Sequence, residues 1–238
     1  MIDKLKFIFP EGDHGPVRLI DKSKLHPGMI LDVRSYGFFG RGIRFAQNIW
    51  QKRIRRILGK SERITKPWGN HTAVVLDSNS IGEALVKKGN VVTPVDEYNE
   101  MIRDGKIEVR VYEVIGITKE QELEVIKNWN TYVKNRKYDY EAFPRLIYKA
   151  MVSNWEDSLN PIKRKIGNIT AGSDHRFWCT QGIQETFINP IIYLDIFCGE
   201  RNPTPMHVGI RAGEIPEINK KPITLRLIKD VYVDTDQN

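Results

Sequence analysis

The feature that most constrains the fold is a series of short apolar segments, interrupted by turns, that begins at His71. In the first segment the side chains of His71, Ala73 and Val75 share one face, which is the period of a β-strand. Turns such as residues 77–80 separate successive segments, and connections this short join antiparallel strands. The predicted strands cover residues 29–33, 71–76, 81–86, 91–95, 107–115 and 223–227. The sequence therefore predicts an antiparallel sheet.

Helices are predicted where apolar residues recur every three or four positions instead of every two. Thr118 followed by Gln121 makes a capping box, which marks the start of a long helix. The predicted buried face of this helix is Leu123, Ile126, Trp129 and Val133. Further helices are predicted at residues 43–57, 94–101, 143–155 and from Cys179 onwards. Because 40% of the 238 residues are hydrophobic, a core can form, and the fold class is predicted to be α+β, with an antiparallel sheet packed against helices.

The chain is basic, with a net charge of +7 and a sequence pI of about 9.3. Basic residues concentrate on one face of the predicted helix at residues 43–57. These residues are Arg44, Lys52, Arg53, Arg55 and Arg56. No aromatic residue lies among them, so the face predicts contact with an anionic surface and no dedicated nucleic-acid site. The alternative is the solvated face of a helix packed on the core.

The first residues, the length of the apolar runs and the cysteine content indicate the cellular compartment in which the protein is made. The first residues lack the apolar run of a secretory signal, and no run of about 18 apolar residues predicts a transmembrane segment. The two cysteines form neither a disulfide framework nor a CxxC zinc motif. We therefore expect cytoplasmic synthesis without a signal peptide, while later export or incorporation into an assembly stays open.

Cys179 stands just before a predicted helical segment whose apolar face is Ile183 and Phe187. A cysteine in the first turn of a helix lies near unpaired backbone N–H groups and the positive end of the helix dipole. Both favour the thiolate, which is the form that attacks a carbonyl carbon. Cys179 is thus a candidate nucleophile, whereas Cys198, beside Phe197, is predicted to be structural.

A cysteine nucleophile needs a base and a group that orients the base. His71 is the predicted base, and the alternative bases are His175 and His207. Glu83 is the only carboxylate in an otherwise apolar strand, which predicts that it points inward. Since their strands are adjacent, His71 and Glu83 are expected to be cross-strand neighbours. Nearer polar residues, each placed in a turn, are Asn70 and Asp77.

The order of these residues resembles that of a known family. A strand with His71, a strand with Glu83, a long helix, Tyr138–Asp139 and then Cys179 at a helix start is similar to the circularly permuted NlpC/P60 group of papain-like cysteine hydrolases. The closest pattern is that of the bacterial YiiX/YaeF-like proteins. In this group the histidine precedes the cysteine. The resembling segment covers most of the chain.

The resemblance implies a role for each residue. Cys179 would be the nucleophile, His71 the base and acid, and Glu83 the residue that orients the imidazole. The hydroxyl of Tyr138 and the backbone N–H of Cys179 would receive the developing oxyanion. The implied fold is a small antiparallel sheet or half-barrel packed against helices, and the implied chemistry needs no metal or organic cofactor.

The expected activity is hydrolysis of an amide bond in a short peptide, a cell-wall peptide or an amino-acid amide. The alternatives are a lipid or acyl-ester hydrolase or acyltransferase at the same site, and a non-catalytic component of a larger assembly. The expected domain is a single one over residues 1–238. Its expected additions are an N-terminal extension (about 1–24), a basic helical insertion (about 39–62) and a C-terminal extension (about 199–238).

Overall fold

The computed structural model describes most of the first 139 residues and selected later segments. The described residues are 17–57, 68–139, 176–177, 179–188, 196, 208, 211–212 and 223–234. Several predictions lie outside the described residues, namely the helix at 143–155 and the roles of His175, Cys198 and His207.

The described residues form an α+β fold around an open, six-stranded antiparallel sheet. The strands are β1 (Arg18–Ile20), β2 (Ile30–Ser35), β3 (His71–Asp77), β4 (Ser80–Leu85), β5 (Gly89–Pro94), β6 (Ile107–Val114), β7 (Lys137–Tyr138), β8 (Arg176–Phe177), β9 (Leu225–Ile228) and β10 (Tyr232–Asp234). The spatial order of the main sheet is β5-β4-β3-β2-β6-β9, and it does not close into a barrel. The predicted fold class is confirmed.

Two strands from the end of the described chain join elements from its beginning and middle. β10 pairs with β1 in a separate antiparallel pair, in the register Leu19 opposite Val233. β9 lies in the range predicted as a C-terminal extension, and it pairs with β6 as an edge strand of the main sheet. β7 and β8 form a short parallel pair.

Four α-helices are present among the described residues. They are α1 (Phe38–Ile57), α2 (Val95–Arg103), α3 (Lys119–Asn128) and α4 (Cys179–Ile188). The capping box predicted for α3 is confirmed, because Gln121 N–H donates to Thr118 Oγ1 at 3.3 Å and Thr118 N–H donates to Gln121 Oε1 at 2.9 Å. In α1 the described side chains end before Trp50, so those of the predicted basic face beyond Arg44 lie outside the described residues.

The buried face of α3 differs from the prediction at Leu123, and the predicted Ile126 is only half-buried. Leu123 is 66% exposed, and Val125 is buried in its place, together with the predicted Trp129 and Val133. The α-helix ends at Asn128, and a π-helical turn covers Trp129–Val133. The four-residue step from Val125 to Trp129 sets the inward face, and the wider turn that follows keeps Val133 on it. The prediction for Leu123 is wrong because Leu123 is two residues from the inward Val125, which places it on roughly the opposite side of the regular α-helix.

The sheet is covered on both faces, so its central strand is buried on both sides. On one face, Val74 packs with the helical residues Trp129, Ile183 and Phe187. On the other face, Val75 packs in a second core with residues of α2. These are Val95, Tyr98 and Ile102. The helix that begins with Cys179 is thereby fixed on the sheet beside β3, the strand that begins with His71.

Candidate active site

Cys179 is the first residue of α4, as the sequence predicts. The predicted apolar face is also confirmed, because Ile183 and Phe187 are fully buried in the core. Their burial fixes the helix on the sheet and holds Cys179 at the end where backbone N–H groups are unpaired. Cys179 itself is only 7% exposed, so its sulfur is largely shielded from water.

His71 is the first residue of β3, just before the part of this strand that pairs with β4. β3 pairs with β4 only from Ala73 onwards, whereas His71 and Thr72 pair with β2 on their other side. The Cys179 side chain occupies this region. There the neighbouring His71 ring and the Thr72 backbone stabilise its thiolate form and lower its pKa.

Glu83 lies on β4, on the far side of the His71 ring from the sulfur. Oε2 of Glu83 is 2.9 Å from Nε2 of His71, which leaves the other ring nitrogen, Nδ1, for the thiol. Glu83 pairs directly with Ala73, so His71 is its diagonal neighbour and not its directly opposite one. A diagonal pair is within reach of long side chains, and the expected contact forms. Glu83 is 3% exposed, as its inward prediction requires.

Two residues that the sequence did not single out hold the Glu83 carboxylate. Thr93 Oγ1 donates to Oε1 at 2.5 Å, and the Tyr98 hydroxyl donates to Oε2 at 2.8 Å. Burial raises the pKa of Glu83, but its hydrogen bonds with His71, Thr93 and Tyr98 outweigh burial and lower it below the ordinary value. The carboxylate therefore stays ionised inside the protein. Val91 pairs with Glu83, and Thr93 lies two residues further along β5. This spacing puts Thr93 on the same face as Glu83, so the sequence held a usable signal for their contact.

The sulfur and the imidazole ring stabilise each other's charged forms. Burial opposes the thiolate, but the hydrogen bond and the charge of His71 outweigh it and lower the pKa of Cys179. Burial also opposes the imidazolium, but hydrogen bonds and charge from Cys179 and Glu83 raise the pKa of His71 to about 10. The two groups therefore favour the thiolate and the imidazolium in each other's presence.

Tyr138 packs against the nucleophile. It forms a small buried cluster with Cys179 and Ala84, and it is 8% exposed. Thr180 is the other neighbour, with its hydroxyl 3.7 Å from the Cys179 sulfur and 3.3 Å from the Thr72 hydroxyl. The structure thus brings together the predicted residues Cys179, His71, Glu83 and Tyr138, and it adds Thr180 beside the sulfur.

The alternative orienting residues are engaged elsewhere. The amide group of Asn70 accepts from Ser35 N–H at 3.0 Å and donates to the Ser35 carbonyl at 2.8 Å. Asp77 accepts from the backbone N–H of Asn79 at 2.7 Å in the turn after β3. Neither side chain orients His71 in this arrangement.

The described residues also bear on metal binding and on membrane insertion. No group of three or more His, Cys, Asp or Glu side chains among them is placed to hold a metal ion. Likewise, none of the described helices combines the length and the apolar character needed to cross a bilayer.

The fold and the site define an α+β protein with a buried cysteine–histidine–glutamate arrangement. No family model matches the sequence, and no curated protein matches it. Among solved structures, the chain is similar to the crystal structure of metalloprotein yiiX from Escherichia coli O157:H7, with 14% sequence identity and a TM-score of 0.43. The similarity covers 87% of this chain and 90% of that chain. It falls in the YiiX-like group that the sequence resembles, and it is too distant to transfer the role of any residue.

Proposed function

We propose that the protein is a thiol hydrolase that cleaves amide bonds. The observation that carries the proposal is the His71 ring, which lowers the pKa of the neighbouring Cys179 thiol and whose Nε2 lies 2.9 Å from the buried Glu83 carboxylate. A cysteine activated by an oriented histidine is the arrangement that nucleophilic acyl transfer needs. Its position at the start of α4 adds the electrostatic support of a helix N-terminus.

The proposed reaction has two stages. The Cys179 thiolate attacks the amide carbonyl, and the resulting oxyanion is received by the Cys179 backbone N–H and the Tyr138 hydroxyl. The His71 imidazolium gives its proton to the leaving nitrogen as the carbon–nitrogen bond breaks, so an amine departs and an acyl-thioester remains. Neutral His71 then takes a proton from water, hydroxide attacks the thioester, and the carboxylic acid leaves with the thiol restored.

Glu83 has an orienting role in this proposal. It receives the Nε2 hydrogen of His71, which fixes the ring with Nδ1 towards the sulfur. Because Thr93 and Tyr98 also donate to it, the carboxylate cannot rotate without losing those hydrogen bonds. The substrate would be a short peptide, a cell-wall peptide or an amino-acid amide.

An acyl ester is the second candidate substrate for the same nucleophile. The observation in its favour is α1, a helix that carries Arg44 and a 49% exposed Phe45 close to the strand that precedes the site. Basic and apolar residues on one helix suit the surface of an anionic membrane, where acyl esters occur.

We also propose that residues 1–238 form one domain. The supporting observations are the pairing of β1 with β10, which joins the two ends of the described chain, and the place of β9 in the main sheet beside β6.

Labelling with iodoacetamide tests the state of the nucleophile. At neutral pH a stabilised thiolate should react roughly tenfold faster than an ordinary cysteine, even though a lower pKa reduces intrinsic nucleophilicity. Mapping of the labelled peptides separates Cys179 from Cys198, and His71→Ala should remove most of the difference. Slow labelling of Cys179 in a folded protein would count heavily against the proposal.

Turnover of a panel of peptide amides and acyl esters tests the activity itself. Amide cleavage that disappears in both Cys179→Ala and Cys179→Ser is the expected result. Ester cleavage alone would select the second candidate. Cleavage that persists in Cys179→Ala would show that another group is the nucleophile.

A further inference from the structure

A group of arginines surrounds Tyr36 at the end of β2, and we call it the Tyr36 arginine cluster (Arg34, Arg41 and Arg44). The guanidinium carbons of Arg34 and Arg44 lie 5.5 and 5.7 Å from the centre of the Tyr36 ring. Arg41 Nε donates to the Tyr36 carbonyl oxygen at 2.7 Å. The aromatic ring and its backbone thus hold three cationic side chains in one place.

Among the described residues, the three guanidinium groups contact one carboxylate, that of Glu108, and the buried Asp32 lies two residues before Arg34 on β2. Glu108 accepts a hydrogen bond from the Tyr36 hydroxyl, and its Oε2 lies 3.7 Å from Nη1 of Arg34. Burial and the nearby positive charges of Arg34 and Arg41 lower the pKa of Arg44, against the opposing effects of Tyr36 and Glu108. Guanidinium groups crowded in this way repel one another, and an anion placed among them would relieve the repulsion.

One atom of the cluster lacks the partner that its burial calls for. Within the described part of the chain, Nε of Arg34 is buried and makes no hydrogen bond. A buried donor without an acceptor is costly, and in native proteins it usually has an explanation such as a bound ligand or ion. This donor belongs to the same guanidinium group that lies over the Tyr36 ring.

The elements that carry the cluster are closely packed against each other. At Gly40 of α1, a Cβ atom would lie 2.2 Å from Ser35 Oγ and 2.9 Å from the Ser35 carbonyl oxygen, so the helix packs directly on the end of β2. Asn70 fixes the same end through its hydrogen bonds to Ser35 and lies next to His71 in sequence. The cluster is therefore held in place relative to the candidate active site.

The cluster also lies on the nucleophile side of the sheet. Thr72, whose backbone bonds the Cys179 sulfur, pairs with Asp32 on β2, and Arg34 is two residues further along the same face. One strand spacing and two residue steps place the backbones of Thr72 and Arg34 roughly 8 Å apart. A substrate whose carbonyl lies at Cys179 would need only a short extension to reach the arginines.

We propose that the Tyr36 arginine cluster binds a phosphate group, and that the substrate of the hydrolase carries this group a few bonds away from the bond that is cleaved. The inference rests on the proposed function. Phosphate suits the site because it carries up to two negative charges and presents several oxygens, which matches several planar guanidinium forks. A carboxylate would satisfy fewer of these donors.

Isothermal titration with inorganic phosphate at constant ionic strength, with chloride as the reference anion, tests the binding directly. Saturable binding should weaken roughly tenfold in Arg34→Gln and in Arg44→Gln, because each removes a charge-assisted contact. Arg103→Gln is the matched control, since it removes the same charge from the exposed end of α2 and should leave binding unchanged.

Glu108→Gln should change the affinity for phosphate in the opposite direction. It removes the carboxylate from the cluster while keeping an acceptor for Tyr36, so phosphate should bind more tightly than in the unmodified protein. Thermal unfolding of every variant establishes that it is folded. The absence of saturable phosphate binding, or an equal loss in Arg103→Gln and Arg34→Gln, would overturn the proposal.

Vesicle sedimentation distinguishes a soluble phosphate compound from a lipid headgroup. Vesicles of phosphatidylcholine with and without phosphatidic acid are the probes. Binding of inorganic phosphate alone supports a soluble substrate. Binding to phosphatidic acid vesicles that is lost in Arg34→Gln supports a headgroup. Vesicle binding that is unchanged in Arg34→Gln contradicts the assignment to this cluster.

The same titration on Cys179→Ala separates this proposal from the proposed function. Phosphate should bind that variant as well as it binds the unmodified protein. An inert Cys179 with intact phosphate binding would refute the hydrolase and leave the binding site. Amide turnover without phosphate binding would refute the binding site alone.

Discussion

Replacing Glu83 with glutamine keeps the size of the side chain and removes the negative charge beside His71. The contact to Nε2 of His71 is 2.9 Å long and buried, so the carboxylate acts on the ring with little screening by water. A hydrogen bond to a charged group contributes about 1.5–3 kcal/mol, and 1.36 kcal/mol corresponds to one pH unit. The substitution should therefore lower the pKa of His71 from about 10 to about 8–9.

Nuclear magnetic resonance of the imidazole ring nitrogens as a function of pH measures this change, and comparison with His71→Ala assigns the signal. Glu122→Gln is a matched control. Glu122 is also a buried carboxylate, and it lies 3.1 Å from Nδ1 of His26. The control makes the same chemical change beside another histidine, so it should leave the pKa of His71 unchanged.

The reasoning fails if Glu83→Gln folds normally and His71 still titrates near 10. In that case the charge on the ring would depend on the sulfur alone. It also fails if Glu122→Gln lowers the pKa of His71 as much as Glu83→Gln does, because the effect would then reflect overall charge.

Two further predictions concern stability. The folded pair of thiolate and imidazolium binds as many protons as the unfolded chain does between the ordinary pKa values of His71 (6.5) and Cys179 (9.0), so the pair's contribution to the free energy of unfolding should be flat there. This contribution to stability should be lost as pH falls below 6.5, through the lowered pKa of Cys179, and lost again as pH rises from 9 to about 10. Denaturant titrations of the unmodified protein and of His71→Gln across pH check this prediction. An unchanged pH profile in the variant would contradict it. Gly82→Ala should cost about 1–3 kcal/mol of stability, because its Cβ would lie 2.6–2.9 Å from ring atoms of the buried Trp129. Gly37→Ala meets nothing within 4 Å and should be close to neutral, so equal denaturation midpoints for the two variants would refute this packing argument.

Local patterns predicted much of the fold and the positions of the site residues. The start of α4 at Cys179 and the capping box at Thr118 follow from short-range chemistry, which a sequence displays directly. The inward position of Glu83 could also be predicted, because a single carboxylate in an apolar strand has few other reasons to be there. These features depend on neighbours that are a few residues apart.

Features that depend on distant contacts could not be predicted in the same way. The hydrogen bond from Tyr98 to Glu83 requires α2 to fold back over β4, and the pairing of β1 with β10 joins residues more than two hundred positions apart. The exposure of Leu123 depends on which face of α3 packs on the sheet, and that face is set by the distant strands and by α4. The role of Tyr98 beside Glu83 and the inward face of α3 therefore became clear only in three dimensions.

The ionisation of Cys179 is the most direct test of the account, and the ultraviolet absorbance of the thiolate measures it. The difference spectrum between the unmodified protein and Cys179→Ser, recorded across pH, should show a thiolate that persists well below the ordinary cysteine pKa of 9.0. In His71→Gln the thiolate should disappear at neutral pH, because burial raises the pKa of the thiol and only the weaker effects of Thr180 and the Thr72 backbone then oppose it. A Cys179 that titrates near 9 in both proteins would contradict the thiolate–imidazolium pair, and with it the proposed hydrolase.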